Sequence, residues 1–421
     1  MNRREFIKLA SLSSLSLFAP GLAGWAFSNG NEDASTKKLI VIMLRGGADG
    51  LNIVAPYGDS LYYNLRPRIA ISRPGTENGL LNLDSHFGLH PALNTLMPYW
   101  QNKTLAFVHS SGSPNPSRSH FDAQDIMESG TPGTRSISTG WLNRLVSELP
   151  AKGKTSLHAI SIGPVLPRIM AGPASIATIS KGVQVNKSLL DRPVVASVFQ
   201  DLYAGRTDDL GKAFNEGMAA HHEINDSLSQ PDEQGAAMMD REQVMANRGA
   251  PLPGNNKAYG KQLAQLFRKS PSIQVAFLDF GGFDTHVNEG TGKGQLANHL
   301  APLGQGIADL IQGLGPMYKD TTIVVMSEFG RTARENGNTG TDHGHGNVMW
   351  ILGGEIPGGN VYARWGGLNT EALHESRDLP TSTDFRAVLA ALMNNQLGVA
   401  KTTIAKVFPD FAPGSSPFVQ V

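Results

Sequence analysis

The segment DHGHGN at residues 342–347 holds the densest group of side chains that could bind a metal ion. It places Asp342, His343 and His345 close together, and its glycines let the backbone and the ligands crowd around one point. In an extended segment, His343 and His345 lie on the same face, so both can reach one ion. The spacing predicts a metal or anion site. The alternative is a loop whose histidines only form hydrogen bonds.

A second pair of candidate ligands follows a Gly-Gly turn in the segment GGFDTH at residues 281–286. Asp284 and His286 stand two residues apart, so both side chains can face one ion. A carboxylate and an imidazole suit zinc and several other divalent metals. The alternative is a turn in which Asp284 caps backbone amides.

Two single carboxylates stand where an apolar run ends. Asp49 and Glu328 each follow a run that is typical of a buried strand. Ligands of α/β proteins bind beyond the carboxyl ends of the strands, so both residues are candidate metal ligands. The alternative is that they cap loops or pair with Arg45 or Arg331.

A candidate for nucleophilic attack lies in the segment SRSHFDAQ at residues 117–124. A serine at a helix N-terminus lies at the positive end of the helix, where an attacked phosphate or sulfate is also favoured. Ser119 is the preferred nucleophile and Ser117 the second choice. Arg118 and Arg331 would clamp the charged oxygens of the ester. The alternative is a serine N-cap with Arg118 on the surface.

The elements that must position these residues are visible as short apolar, β-branched runs, which predict strands buried on both faces. These runs lie at residues 39–44, 104–108, 273–278, 322–326 and 348–352. Apolar residues at helical spacing lie between them, at 93–100, at 296–314 and after the N-cap candidate Asp384. This alternation predicts a doubly wound, mainly parallel α/β sheet, with the candidate ligands at the carboxyl ends of its strands.

Composition narrows the classes of function. The chain has 421 residues, with Lys+Arg 36 against Asp+Glu 36, a formal net charge of zero and no cysteine. The lack of a basic excess argues against nucleic acid as a partner. The absence of cysteine excludes disulfides, thiolate zinc sites and iron–sulfur clusters. A divalent metal, such as zinc, manganese or calcium, would therefore need ligands from His, Asp, Glu or water.

The N-terminus has the pattern of an export signal. Arg3 and Arg4 precede an apolar run with interspersed serines and a proline, which predicts a twin-arginine signal peptide over residues 1–28. The alternative is an uncleaved anchor. Export through the twin-arginine machinery implies a periplasmic or secreted protein without a stable membrane span after cleavage. Residues 29–421 are predicted to form one domain, with a polar, helix-rich insertion or cap over residues 185–270.

The order of motifs resembles a known family. RGGADGLN at 45–52, SRSHFDAQDIMESG at 117–130, GGFDTH, SEFGRT at 327–332 and DHGHGN are similar to the twin-arginine-exported family called domain of unknown function 1501. That family is similar in turn to the alkaline phosphatase and sulfatase superfamily. The resemblance implies an alkaline-phosphatase-like α/β fold and, in active members, two divalent metals with a nucleophile between them.

Position by position, the resemblance implies that Asp49, Asp284 and His286 are ligands, with His343 or His345 as the final histidine. Three departures bear on activity. Asp284 and His286 are two residues apart where members have a spacing of four, which can leave only one of them on the ion. Phe329 stands where members carry a histidine, so the second metal site loses a ligand unless His343 or His120 replaces it. Pro114 occupies the nucleophile position of the sulfatase signature, which excludes formylglycine chemistry.

The leading hypothesis is an exported, metal-assisted hydrolase of phosphate or sulfate esters that acts on a small anionic ester or glycan substrate. Its metal would polarise the ester and activate a serine oxygen or a water. The competing hypothesis is a non-catalytic exported binding or assembly protein. Such a protein would keep the fold with a degenerate metal site, holding one metal or none. Phe329 and Pro114 favour that alternative. A third hypothesis is carbohydrate binding in the envelope, which only the predicted compartment suggests.

Overall fold

The computed structural model describes most of the chain. The described residues are 37–133, 137–149, 157–163, 165–179, 203, 206, 246–255, 258–412 and 417–418. The predicted signal peptide and most of the predicted insertion over residues 185–270 lie outside them. Within the described part of the chain, no helix is both long enough and apolar enough to cross a membrane.

The described residues form one nine-stranded sheet and one three-stranded sheet. The large sheet has the order β11-β5-β10-β9-β1-β8-β6-β7, with β12 also paired to β5, and the small sheet has the order β2-β4-β3. The strands are β1 (Lys38–Leu44), β2 (Val54–Ala55), β3 (Leu81–Asn82), β4 (Gly88–Leu89), β5 (Leu105–Gly112), β6 (Ala159–Ile162), β7 (Ala177–Ile179), β8 (Val275–Phe280), β9 (Thr321–Ser327), β10 (Asn347–Gly353), β11 (Val361–Tyr362) and β12 (Thr383–Asp384).

The large sheet is mainly parallel, as predicted, and all five predicted strands are present. β1 pairs in parallel with β8 and β9, with Leu39 opposite Val275 and Thr322. β10 is the exception, because it runs antiparallel to both β9 and β5. The first residue of β10, Asn347, therefore lies at the edge where the parallel strands end. This reversal brings the preceding segment, residues 342–346, to the same edge as the ends of β1, β8 and β9.

Helices cover both faces of the sheet. They are α1 (Gly50–Ile53), α2 (Ser60–Leu65), α3 (Met97–Gln101), α4 (His120–Ser129), α5 (Trp141–Glu148), α6 (Tyr259–Lys269), α7 (Gln295–Leu314), α8 (Phe385–Leu397) and α9 (Lys401–Val407). Alternate residues of β1 divide between two buried clusters. Ile40 and Ile42 pack in the cluster that includes α6 and α7, whereas Val41 and Met43 pack in the cluster that includes α5, α8 and α9. The sheet is thus the middle of three layers.

The predicted helix over residues 93–100 is divided in the structure. A 3-10 helix, Pro91–Leu96, is followed by α3, and Leu93 has non-helical backbone angles. Pro98 has no N–H to donate, so an uninterrupted α-helix would lose a hydrogen bond there. The other two predicted helices correspond to α7 and α8, and the side chain of Asp384 caps α8 by accepting from the Arg386 N–H.

Candidate metal centre

Three histidines and one carboxylate converge at the carboxyl edge of the large sheet. His120 is the first residue of α4, Asp284 and His286 follow β8, and His343 precedes β10. The Nε2 atom of His343 lies 3.0 Å from Nε2 of His120 and 2.9 Å from Nε2 of His286. The Oδ1 atom of Asp284 lies 3.0 Å from Nε2 of His286 and 3.2 Å from Nε2 of His343. We call these four residues the histidine cluster.

Each ring of the histidine cluster is oriented by an oxygen on its other side. Nδ1 of His120 lies 2.8 Å from Oε1 of Glu328, and Nδ1 of His343 lies 2.9 Å from the carbonyl oxygen of Arg118. Nδ1 of His286 lies 3.4 Å from Oδ1 of Asp342. Carboxylate and carbonyl oxygens only accept, so each Nδ1 can donate outward, and with a metal bound each Nε2 would give up any proton and face the ion.

The donor set fits a divalent metal. His120, Asp284 and His343 each offer one ligand atom, and these atoms lie within 4.8 Å of one another. Two nitrogens bound to a tetrahedral zinc at about 2.0–2.1 Å would lie roughly 3.3 Å apart, close to the separations between the Nε2 atoms. Imidazole and carboxylate ligands suit zinc and manganese. Calcium, which takes oxygen ligands, does not match three histidines.

The charges in the cluster favour a cation. Burial alone would raise the pKa of the Asp284 carboxyl, but hydrogen bonds from His120, His286 and His343 hold it far below its ordinary value. Burial lowers the pKa of His120, but its neighbours Asp284 and Glu328 outweigh this and raise it to about 9. Without a metal, a proton therefore occupies this site at neutral pH, and a metal would compete with it.

Glu328 lies behind His120 rather than beside the Nε2 atoms. Its Oε1 also accepts from the Gly46 N–H at 2.8 Å and from Nε2 of Gln124 at 2.9 Å, and its Oε2 accepts from the Ser327 hydroxyl at 3.0 Å. Burial raises the Glu328 pKa, but hydrogen bonds from His120 and Gln124 bring it down to about 2. Glu328, predicted as a direct metal ligand, therefore has the position of a carboxylate that orients the ring of His120.

Phe329 packs against the rings of the cluster. Its ring centroid lies 4.8 Å from that of His120 and 5.0 Å from that of His343. Gly47 also packs against Phe329, and a Cβ at this glycine would overlap the Phe329 ring. The aromatic side chain that replaces the expected histidine therefore supports two of the remaining histidines.

Arg331 is buried beside the cluster and is already fully engaged. Its Nη2 donates to Oδ1 of Asp284 at 2.5 Å and to the Gly46 carbonyl, and its Nε donates to the Gly47 carbonyl at 2.5 Å. The side chain has no exposed surface. The predicted role of Arg331 as a clamp on the substrate is therefore corrected: its guanidinium ties the loop after β1 to Asp284.

Asp49 does not join the histidine cluster. It is buried and forms an ion pair with Arg66, whose Nη2 lies 3.1 Å from Oδ1. Its Oδ1 also accepts from the Leu51 N–H and caps α1. Burial raises the Asp49 pKa, but Arg66 brings it below its ordinary value. The structure therefore corrects the metal-ligand prediction for Asp49 to the alternative of a paired, loop-capping carboxylate.

The two histidines of the DHGHGN segment separate. The ring of His345 stacks on that of His374, with centroids 4.8 Å apart, and burial lowers its pKa to about 4. His343 pairs with Arg331 in an isolated antiparallel β-bridge. The backbone of the segment therefore runs alongside residue 331, and its two histidine rings do not face one ion. Asp342 is half exposed and contacts His286 only through Nδ1. The expectation that His343 and His345 share one ion is corrected.

The predicted nucleophile segment contains His120 and therefore adjoins the histidine cluster. Ser119 is exposed and its side chain does not cap α4, and the Ser117 hydroxyl accepts from the Ser119 N–H at 3.3 Å. The guanidinium of Arg118 is paired with Asp378 at 2.6 Å and with Glu375 at 2.6 Å. The predicted clamp on an ester oxygen is thus corrected to a side chain held by two carboxylates.

His120 is the member of the cluster that the sequence identified least directly. It entered only as a substitute for a missing ligand, because it stands alone at the start of a helix. It lies 223 residues from its neighbour His343. The one available signal was its place in the serine-rich segment before a helix. Only the packing of α4 against the loop after β9 brings it to the centre.

Comparisons with known proteins place the chain in a family. A family model described as "Protein of unknown function (DUF1501)" matches residues 36–408. A comparison with curated protein sequences finds no match.

Several solved structures are similar at low identity. The C-terminal periplasmic domain of EcEptC from Escherichia coli is 11% identical, with 96% of this chain and 95% of that chain covered and a TM-score of 0.39. A putative sulfatase from Bacteroides thetaiotaomicron is 10% identical, covering 91% and 76%, with a TM-score of 0.34. Alkaline phosphatase from the Antarctic bacterium TAB5 is 12% identical, covering 76% and 92%, with a TM-score of 0.31. Scores of this size transfer no function to the chain.

Proposed function

Because the chain belongs to the DUF1501 family of proteins of unknown function, we propose its function from its own residues: a metal-assisted hydrolase of phosphate or sulfate esters. His120, Asp284, His286 and His343 would hold one divalent metal, with zinc or manganese favoured by the ligand types. When bound, such an ion polarises an ester oxygen and lowers the pKa of a coordinated water.

The observation that carries the proposal is the orientation of the three rings. All three Nδ1 atoms are held by accepting oxygens, and all three Nε2 atoms face one buried carboxylate. Histidines that only stabilise a loop need no such common direction.

Solvent can approach the cluster from the His286 side, because the His286 side chain is 32% exposed, whereas the side chain of His120 is 9% exposed. An ester would therefore enter from the side of His286.

Ser119 supplies the oxygen that attacks the ester in our proposal, and a water is its replacement. Its exposed hydroxyl directly precedes His120 and is not used to cap α4. Because His286 would hold the ion, the leaving oxygen would take its proton from solvent, which reaches the centre on the His286 side. The ring of His286 stands 3.5 Å from Nη1 of Arg331, whose charge is already paired with Asp284.

The alternative function is a non-catalytic binding or assembly protein that keeps the centre as a structural site. Phe329 favours it, because this side chain fills the space beside His120 and His343 with an apolar ring. The two functions differ in their response to loss of the centre. A hydrolase loses turnover, whereas a binding protein keeps its partner and loses only stability.

The test is a comparison of two neighbouring histidine variants, purified without a metal-binding tag. We expect about one equivalent of metal in the unmodified protein, measured by elemental analysis, and hydrolysis of p-nitrophenyl phosphate or sulfate. His343→Ala should lose both the metal and the hydrolysis, because it removes the central ligand. His345→Ala should keep both, because its ring packs on His374 outside the cluster.

Two outcomes would count against the proposal. Protein without metal, and without any uptake when zinc or manganese is added, would remove the metal centre. Metal that is bound but never accompanied by hydrolysis of either ester would favour the binding or assembly function.

We also propose that the protein acts outside the cytoplasm on a small anionic ester or a glycan ester. The support for the location is the Arg3-Arg4 pair ahead of an apolar, serine-containing run, and the support for the ester is the proposed metal centre.

A further inference from the structure

Helix α4 has a second functional face. His120 and Gln124 point toward the metal centre, whereas Phe121, Asp125 and Glu128 lie at the helical spacing i, i+4, i+7 and line a cavity on another side. The cavity has a volume of about 390 Å³, which falls in the range of about 300–1,000 Å³ for small-molecule sites. The proposed hydrolysis does not use this cavity.

The floor of the cavity is a buried ion network. Arg45 contacts Glu128 at 2.9 Å and Asp279 at 2.6 Å, and its side chain is only 2% exposed. Its Nη1 also donates to Gln124. The positive charge is therefore already balanced by two carboxylates.

The wall of the cavity is balanced in the same way. Arg168 lies 2.5 Å from Asp125, and Arg248 lies 3.0 Å from the same carboxylate. Each of the three lining arginines thus has a carboxylate partner. An anionic ligand would have to displace one of these carboxylates. A neutral ligand with hydroxyl groups could instead accept from a guanidinium and donate to its carboxylate partner at the same time.

A buried hydroxyl faces the cavity and lacks a partner. Ser161 of β6 lines the cavity and is fully buried, and its Oγ has no hydrogen-bond partner among the described residues. An unpaired buried hydroxyl destabilises the fold. A hydroxyl of a bound molecule could pair with it.

The rim of the cavity is apolar and exposed. Phe121 is 49% exposed and Val165 is 63% exposed, and both line the cavity. The described residues contain only one other exposed large hydrophobic side chain, Val287. An aromatic ring at the mouth of a site with charged, hydrogen-bonding walls offers an apolar surface to one face of a ligand.

We propose that this cavity binds a neutral, hydroxyl-rich ring, that is, one sugar unit of a glycan. Its hydroxyls would bond to Ser161 and to the Arg168–Asp125–Arg248 group, and its C–H face would pack on Phe121. The site goes beyond the proposed hydrolysis and does not depend on a metal. It lies on a different face of α4 from the metal centre.

The test uses the methyl glycosides of glucose, galactose and mannose as probes, titrated into the full chain by calorimetry or followed by saturation-transfer NMR. We expect at least one of them to bind in the millimolar range or tighter, with or without a chelator. Phe121→Ala should weaken this binding by about tenfold because it removes the apolar platform. Ser161→Ala should weaken it by roughly two- to tenfold because it removes one hydrogen bond.

The chain offers a matched control for the serine variant. Thr178 of β7 stands opposite Ser161 in the sheet and also has a buried hydroxyl without a partner among the described residues, but it does not line the cavity. Thr178→Val should bind the glycosides as the unmodified protein does. The thermal midpoints of all variants show that they are folded.

Three outcomes would overturn the proposal. The first is that none of the three glycosides binds the unmodified protein. The second is that binding survives Phe121→Ala and Ser161→Ala unchanged. The third is that inorganic sulfate or phosphate displaces the glycoside from the cavity, which would make it an anion site. None of these outcomes bears on metal content or ester hydrolysis, so the two proposals fail separately.

Discussion

At the scale of single residues, the histidine cluster depends on the atoms behind its rings. Glu328 is the partner of His120, and it is itself held by Gln124 and the Gly46 N–H. Such carboxylates fix the tautomer of a ligand histidine and raise its basicity. The cluster should therefore respond to changes that touch none of its four members.

Glu328→Gln is the corresponding test. The amide oxygen can still accept from His120 Nδ1, but the negative charge that helps raise the His120 pKa is gone. We expect zinc affinity, measured by competition with a chelator, to fall by about 10- to 100-fold while the fold is kept.

Glu148→Gln is the control, since this carboxylate pairs with Lys406 outside the centre. Equal zinc affinity in the Glu328→Gln variant and the unmodified protein would contradict the orienting role of Glu328.

A second buried carboxylate predicts a pH effect. Glu289 is fully buried, accepts from Asn52 at 3.0 Å and from Thr341 at 3.0 Å, and lies close to Asp49. Burial and the nearby Asp49 charge raise the pKa of Glu289 well above its ordinary value. The folded protein therefore keeps a proton there that the unfolded chain has already released.

The sign of the effect follows from this proton. Below the ordinary carboxyl pKa both states are protonated, so Glu289 contributes no pH dependence. As the pH rises from about 4.5 toward the raised pKa, the unfolded state loses its proton first and the stability of the fold falls.

The Glu289→Gln variant, whose side chain cannot ionise, should remove this loss of stability. Unfolding free energies at about pH 5 and at about neutral pH should show a smaller decline in the variant; an identical decline would contradict the raised pKa.

At the scale of elements, the loop after β1 positions the loop after β8. Gly46 has a φ of 111°, and a Cβ there would lie 2.5 Å from the backbone nitrogen of Asp284. The close approach lets the Gly46 N–H reach Glu328 while its carbonyl accepts from Arg331. Only glycine fits both the backbone angle and the contact.

Gly46→Ala should therefore displace Asp284 and lower the stability by more than about 2 kcal/mol, with loss of bound metal. Gly75→Ala is the matched control, because Gly75 also has a positive φ, of 90°, but a Cβ there would meet nothing within 4 Å. It should cost only about 1 kcal/mol and keep the metal. Denaturant unfolding and elemental analysis measure both. Equal losses in the two variants would mean that the contact with Asp284 has no effect.

At the scale of the whole molecule, the centre exists only in the folded chain. Its four residues come from α4, from the loop after β8 and from the loop before β10, and they meet because the strand ends share one edge.

The proposed twin-arginine signal would carry a folded protein, so the proposed metal would be bound before export. Replacement of Arg3 and Arg4 by lysine should leave folded protein in the cytoplasm, as cell fractionation would show. Lys8→Arg keeps the pair and should not change export; unaltered export without the pair would contradict the signal.

The sequence by itself determined the strands, the principal helices and the edge of the sheet where the candidate site residues lie. Continuous β-branched runs and helical spacing are local properties, and polar residues at strand ends mark the binding edge of a parallel sheet. The predicted helix over residues 93–100 is divided between Leu96 and Met97, and Pro98, in the first turn of the second helix, lacks an N–H for a continuous α-helix, which is an equally local property. The sequence shows this proline, but the helical spacing of the leucines favours one continuous helix.

Only the tertiary structure decided which side chain of each motif faces the centre. His343 and not His345 lies in the cluster, Glu328 stands behind His120, and Asp49 pairs with Arg66. The contacts of His343 with His286 and His120 span 57 and 223 residues. Spacing along the chain constrains neighbours within a few residues. The direction of a side chain across such distances depends on how whole elements pack, because packing fixes the rotamers and the loop paths.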